Sequence, residues 1–463
     1  MKKTIISLLF TVVLLLSQSV SAAKPKYVFL FIGDGMGMGH VMAAETYNRI
    51  SYGSDQPLLM MQFPVSSFAM TYSASSTVTD SAAAGTALAC GTKPKNSMLG
   101  VDADTVAVTS VATELKQKYG YGVGLVTSVA FDDATPAAHY AHCDNRHKFT
   151  DINYYGARSN FDFIGGAGTH QAENGSKESV EKIYADYEAN GYTIVRGVDA
   201  YANAKGAKKV LFTPEKPQNP NEIGFTIDSI PGSTSLQEMT KVCLDHLKKV
   251  SPKNFFMMVE GGNIDHAGHG NDPGTAVKEI INFQEAIKVA YDFYKQHPSE
   301  TLIVITADHD TGGLTIGVKG GNYKMDAIKN LDYQHISKEQ FSDLVAKEIA
   351  RDWTGMKELI SEKLGLFTHI AVSEIEEARM LESFGKVKAG VAQGNKTLYK
   401  EYNNFAETVF DIFNHKAHFG FTTSSHTGNP VPVFAIGVGA DHFKCLNNNI
   451  DIPAKFRKLT GIK

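Results

Sequence analysis

After its first 22 residues the chain contains no run of about 18 apolar residues, the length a helix needs to cross a bilayer, so a transmembrane anchor is not expected. Positive charge is not in excess either. Its 45 Lys and Arg against 49 Asp and Glu give a formal net charge of -4, or about -6 once Lys2 and Lys3 are subtracted, and the two signs are mixed along the chain. A basic stripe of the kind that binds nucleic acid is absent. Cysteine is scarce: Cys90, Cys143, Cys243 and Cys445 match no zinc-ribbon spacing, and three disulfide pairings are open to them. Internal repeats and low-complexity segments are missing. So is a G-x-S-x-G elbow around Ser81, which removes the most familiar local way of activating a serine.

What is present begins with a leader. M-K-K-T-I-I-S-L-L-F-T-V-V-L-L-L-S-Q-S-V-S-A carries two lysines, an apolar stretch from Ile5 to Leu16 and Val20-Ser21-Ala22 as a small-residue cleavage site. Residues 1–22 therefore read as a secretory signal peptide, and the mature protein as exported, periplasmic or secreted. The whole, 43% hydrophobic and 20% charged, has ordinary globular composition. Short β-branched or aromatic runs recur at Tyr27 to Ile32, Ser66 to Tyr72, Val123 to Thr127, Lys209 to Thr213, Phe255 to Val259, Leu302 to Thr306 and Val431 to Ile436. Amphipathic patterns such as Val108 to Tyr119, Ser235 to Lys249 and Gly274 to Tyr294 lie between several of them. This alternation predicts an α/β fold over residues 23–463, with a large, mostly parallel central sheet between helical layers. From 330 to 401 the chain is instead rich in charged helix formers and lacks a convincing buried strand. That stretch reads as a helical insertion, a cap or crown on the main domain.

In an open α/β sheet, ligands bind at the carboxyl ends of the strands. Asp34 follows the first predicted strand, and Asp133 and Thr135 follow Val123 to Thr127. Glu260, Asp265, His266 and His269 follow Phe255 to Val259, Asp308 and His309 follow Leu302 to Thr306, and His426 precedes Val431 to Ile436. Carboxylates crowded on one edge are costly unless positive charge offsets them. Metal ions supply it: mixed His and Asp ligation suits zinc, and carboxylate, hydroxyl and water oxygens suit magnesium. Asp265 and His269, four apart, share a face on a helical turn. Asp308 and His309 are adjacent and would point oppositely in a strand, so both can ligate only from the loop that D-T-G-G announces. Singly, each candidate has a plainer reading: Asp34-Gly35 as a turn, Thr135 or Ser81 at a helix cap, Arg146 in a surface ion pair. Their joint placement at strand ends favours a metal site.

Taken in order, G-D-G-M-G, V-T-D-S-A-A-A-G-T-A, D-A-T-P-A-A with Arg146 downstream, V-E-G-G-N-I-D-H-A-G-H, T-A-D-H-D-T-G-G-L and H-T-G resemble the motif set of the bacterial alkaline phosphatases. The resemblance runs from Asp34 to His426 and implies an enzyme, usually a homodimer, that hydrolyses small phosphomonoesters. It implies Asp265, His269 and His426 as ligands of one zinc, and Asp34, Asp308 and His309 as those of a second zinc beside a nucleophilic Ser81. Asp133, Thr135 and Glu260 match a magnesium site to which Asp34 bridges. Arg146 matches the phosphate-binding arginine, and Asp80 the aspartate that orients it. A zinc ion that lowers the Ser81 pKa would replace the missing base, and a phosphoserine would form and be hydrolysed.

Two positions depart from the common pattern. His266 stands where some members carry lysine and others histidine or tryptophan, and a neutral imidazole there is expected to attract phosphate less than lysine does. Asp133 stands where others carry histidine, and aspartate favours magnesium. The alternatives are a phosphodiesterase of the same superfamily and a noncatalytic exported protein that binds phosphate or zinc, which would need ligands but no nucleophile. A sulfatase would require C/S-x-P-x-R, and Ser81-Ala82-Ala83-Ala84 does not fit.

Overall fold

An apolar run buried on both faces has no solvent side with which to alternate, and four such runs make the centre of the sheet. The computed structural model describes residues 24–170, 177–204, 206–321, 325–391, 394–396 and 400–462; the signal peptide read at residues 1–22 lies outside them. Ten strands form the main sheet: β1 (Tyr27–Ile32), β2 (Val65–Met70), β3 (Gly122–Thr127), β4 (Phe163–Gly165), β5 (Tyr192–Arg196), β6 (Lys209–Thr213), β7 (Phe255–Glu260), β8 (Thr301–Thr306), β9 (Val431–Gly437) and β10 (Asn447–Asn448). Their order is β10-β2-β9-β8-β1-β7-β3-β4-β6-β5. Only β9 runs against its neighbours, and every residue of β1, β3, β7 and β8 is buried. The seven strands expected from the sequence all occur, none displaced by more than two residues at an end. The short β4, the mixed-polarity β5 and the two-residue β10 have too little pattern to be seen in advance.

Register places the functional edge. Ile32 stands opposite both Glu260 and Thr306, and Thr127 opposite Glu260. The four central strands therefore end level, and the loops that follow them open on one edge. Because β9 is antiparallel, its start lies at that edge, with Val433 opposite Thr306. This is why His426 precedes its strand whereas the other candidates follow theirs.

Helices cover the sheet. Ser235 and Glu238 close a reciprocal capping box at the start of Leu236–Val250, and that helix packs on β3 and on the long helix Pro273–Gln296. Between residues 330 and 401 lie the helices Lys338–Lys347, Trp353–Leu364 and Glu374–Lys388, and a pairing of Asn395–Lys396 with Glu401–Tyr402. Trp353, Phe384 and Phe405 cluster there, the last two rings 5.3 Å apart, and join these helices to the next one, Asn404–Lys416. All four cysteines are unpaired. No described helix is long and apolar enough to cross a membrane.

Candidate active site

Ser81 is the first residue of the helix Ser81–Cys90, and Asp80 is its N-cap. One Asp80 oxygen accepts from Ala83 N at 3.0 Å and the other from Ser97 N at 2.9 Å, so the turn that presents Ser81 is tied at both sides. The helix is almost all small residues and is buried throughout. Gly85 lets it lie against Ala134–Ala137, where an added Cβ would come 3.2 Å from the Thr135 Cα. Ser81 Oγ ends 3.1 Å from His309 Nε2.

Asp265 and His269 lie one turn apart on the short helix Asn263–His269, and His426 meets them from the start of β9. The His269 Nδ1–H donates to Ser424 O at 2.6 Å, and the His426 Nδ1–H to Thr79 O at 2.9 Å. Those bonds turn both Nε2 lone pairs inward. The two nitrogens are 3.1 Å apart, and Asp265 Oδ2 is 3.3 Å from that of His269. Without a cation among them, one ring must take a second proton; with a cation, neither need do so. Burial raises the Asp265 pKa, but the neighbouring imidazoles, His269 first, overcome it and hold the group well below the carboxylate range.

The second cluster is centred on His309. Its Nε2 faces Asp308 Oδ2 at 3.1 Å and Asp34 Oδ1 at 3.4 Å as well as Ser81. Asp34 Oδ1, Asp308 Oδ2 and Asp265 Oδ2 are buried without a hydrogen-bond partner. Burial, then the other carboxylates, push Asp34 and Asp308 above the usual range. Thr311 joins the clusters: its hydroxyl donates to Asp265 Oδ1 and lies 3.2 Å from His309 Nδ1. Asp265–His269–His426 and Asp34–Asp308–His309 each converge closely enough to hold one metal ion. Their unpaired oxygens and inward lone pairs fit zinc by donor type.

The third set is looser. Thr135 Oγ1 is buried and unpaired, and Glu260 Oε2 accepts from Thr127 Oγ1 at 2.5 Å. Asp133 Oδ1 accepts from Ala134 N at 2.6 Å and from Arg146 Nη2 at 2.8 Å, and its Oδ2 is 3.4 Å from His170 Nε2. Burial would raise Asp133, yet His170 and Arg146 hold it well below normal. Arg146 is thus held by Asp133 at 2.8 Å, with Asp80 Oδ2 at 3.8 Å. The family resemblance implies Asp80 as the aspartate that orients it, and the structure adds Asp133.

Three contributors were missed. Glu222 Oε2 takes the Nδ1–H of His266 at 3.0 Å. Burial pulls His266 down, but Glu222 outweighs it and holds the ring up to about 9, the opposite direction from the neutral imidazole expected from the sequence. His170, stacked on Phe149, and Thr311 complete the group. Only Thr311 carried a local signal, inside D-T-G-G.

A sequence model of the alkaline phosphatase family matches residues 25–162 and 151–462. The chain is 31% identical to alkaline phosphatase 4 of Bacillus subtilis, covering 93% of this chain and 87% of that protein. It is 27% identical to the repressible alkaline phosphatase of Saccharomyces cerevisiae, covering 89% and 76%. Its fold superposes on the cold-active alkaline phosphatase of the psychrophile Shewanella sp. with a TM-score of 0.78 at 28% identity, covering 94% of this chain and 99% of that one.

Proposed function

Because the chain belongs to the alkaline phosphatase family and is a phosphomonoester hydrolase, we propose that Ser81 is its nucleophile and that it works with two zinc ions and one magnesium. Asp265, His269 and His426 hold one zinc, and Asp34, Asp308 and His309 the other. Asp133, Thr135 and Glu260, together with Asp34, would hold magnesium. The observation that carries this reading is the placement of Ser81 Oγ 3.1 Å from the same His309 nitrogen on which the Asp34 and Asp308 carboxylates converge. When bound, the metals lower the pKa of a nearby hydroxyl or water and neutralise charge on the transferred group.

The chain's own groups do the rest. Arg146, steadied by Asp133 and Asp80, presents a fork of donors to two nonbridging oxygens of the phosphate dianion. Free N–H groups in the first turn of the Ser81 helix favour the same anion, and His266 adds to its binding. Ser81 Oγ gives up its proton and bonds to phosphorus as the ester P–O bond breaks, and the departing alkoxide takes up a proton to leave as the alcohol. Water then gives up a proton as its oxygen bonds to phosphorus, the bond from phosphorus to Ser81 Oγ breaks, Ser81 Oγ takes up a proton, and inorganic phosphate leaves. Catalysis is positioning and charge neutralisation around the phosphoryl group.

Residues 23–463 are read as one α/β domain carrying 330–401 as a cap, exported by the leader at 1–22. A homodimer is the proposed assembly. The outer face of β2, where Phe68 and Met70 are exposed beside Tyr72 and Leu446, supports it as an apolar surface to be covered.

The test is hydrolysis of an aryl phosphate, an aryl phosphodiester and an aryl sulfate by the mature protein as isolated, after chelation, and after zinc and magnesium are restored. Monoester turnover that chelation abolishes and the two metals restore is expected. Activity indifferent to chelation, or restored without zinc, would overturn the assignment.

A further inference from the structure

Helix Asn263–His269 has only seven residues, too few to hold its shape unaided, yet it carries two proposed zinc ligands. Its start is fastened to the sheet, where Asn263 N donates to Ser128 Oγ at 3.0 Å. Its exit is fastened elsewhere. Lys338 Nζ donates to Gly270 O at 2.8 Å, Asn414 Nδ2 to Asn271 O at 2.7 Å, and both Lys338 N and Gln334 Nε2 to the Asp272 carboxylate at 2.7 Å. Each of the three residues after His269 is thus held by the helical insertion or by the helix that follows it. Asn271 makes this turn at φ +50, in the left-handed region that asparagine tolerates better than most residues.

Lys338 is the centre of this arrangement and is 3% exposed. Its ammonium also meets Glu407 Oε2 at 2.9 Å and lies over the Tyr402 ring at 4.8 Å. Burying a lysine is costly unless its charge is fully engaged, and here one of the engaged groups is the carbonyl that closes the ligand helix. We propose that Lys338 is a positioning residue that keeps Asp265 and His269 in ligating geometry, so that the insertion governs how firmly the first zinc is retained. The proposal rests on the reading of Asp265 and His269 as zinc ligands.

Groups that orient metal ligands typically change metal affinity 10–100-fold when removed. Lys338→Met, Asn414→Leu and His269→Ala are made in the full chain, with Arg379→Ala, which breaks the exposed Arg379–Asp411 pair, as control. Each protein is loaded with zinc, assayed for zinc per chain by elemental analysis, and challenged with a chromogenic chelator while its melting temperature is recorded. Lys338→Met and Asn414→Leu should each release one zinc about tenfold faster or more, the second at the wild-type rate, and Arg379→Ala should match wild type. If His269→Ala loses one zinc while Lys338→Met and Asn414→Leu release theirs at the wild-type rate, the bracing role is wrong and the ligand assignment stands, even if the melting temperatures fall. If His269→Ala keeps both zincs, the ligand assignment itself has failed.

Discussion

At position 81 a hydroxyl with no base beside it in sequence is met, in space, by His309 Nε2, the nitrogen on which the Asp34 and Asp308 carboxylates converge. Ser81→Ala should therefore lower kcat by about a thousandfold or more while leaving zinc content and melting temperature intact; steady-state kinetics with elemental analysis checks both. Arg146 answers to Asp133 at 2.8 Å, so its contribution is a held fork rather than a loose charge. Arg146→Ala should weaken inhibition by inorganic phosphate about 10- to 100-fold, the range for a charge-assisted hydrogen bond. Arg146→Lys should recover only part of this, because lysine lacks the fork. Glu222 and His170 escaped notice because each acts on a partner more than thirty residues away. Nothing in the composition around either residue marks it as one half of a buried pair.

Among the elements, the Ser81 helix shows how one residue serves two ends. Asp80 caps it through Ala83 N and sits beside Arg146. Asp80→Ala should cost about 1 kcal/mol of stability, the usual worth of an N-cap, and should also raise the phosphate inhibition constant. Urea unfolding and inhibition assays separate the two effects; loss of stability with unchanged phosphate binding would leave Asp80 as a cap only. The loop after β1 is constrained in another way. Gly35 turns at φ +69, and a Cβ there would come 2.7 Å from Thr311 Oγ1 and 2.8 Å from Asp265 Oδ1. The G-D-G signal read as a turn was therefore also a close approach, which sequence alone does not distinguish.

For the whole molecule, buried carboxyls outside the proposed metal sites make stability depend on pH. Glu279 accepts from Thr226 N at 2.6 Å, and burial pushes its pKa from 4.5 to about 7. The folded state holds this proton more tightly than the unfolded chain, so the contribution is complete below pH 4.5 and is lost as pH rises toward 7. Glu279→Gln keeps an acceptor for Thr226 and removes the ionisation. It should be more stable than wild type at pH 8 by roughly 2 to 3 kcal/mol, with the difference shrinking toward pH 4.5; thermal melts across that range, at fixed metal content, measure it. The sequence by itself determined where the buried strands run, because a strand covered on both faces must be continuously apolar, and it marked the edge where ligand-type residues gather, because motifs after strands are local. It did not determine which side chains meet there. That Asp133 holds Arg146, that Glu222 pairs with His266, and that Lys338 reaches the exit of the helix carrying Asp265 and His269 were decided only when the chain closed, since hydrogen bonds and Coulomb forces act over ångströms in space and take no account of distance along the chain.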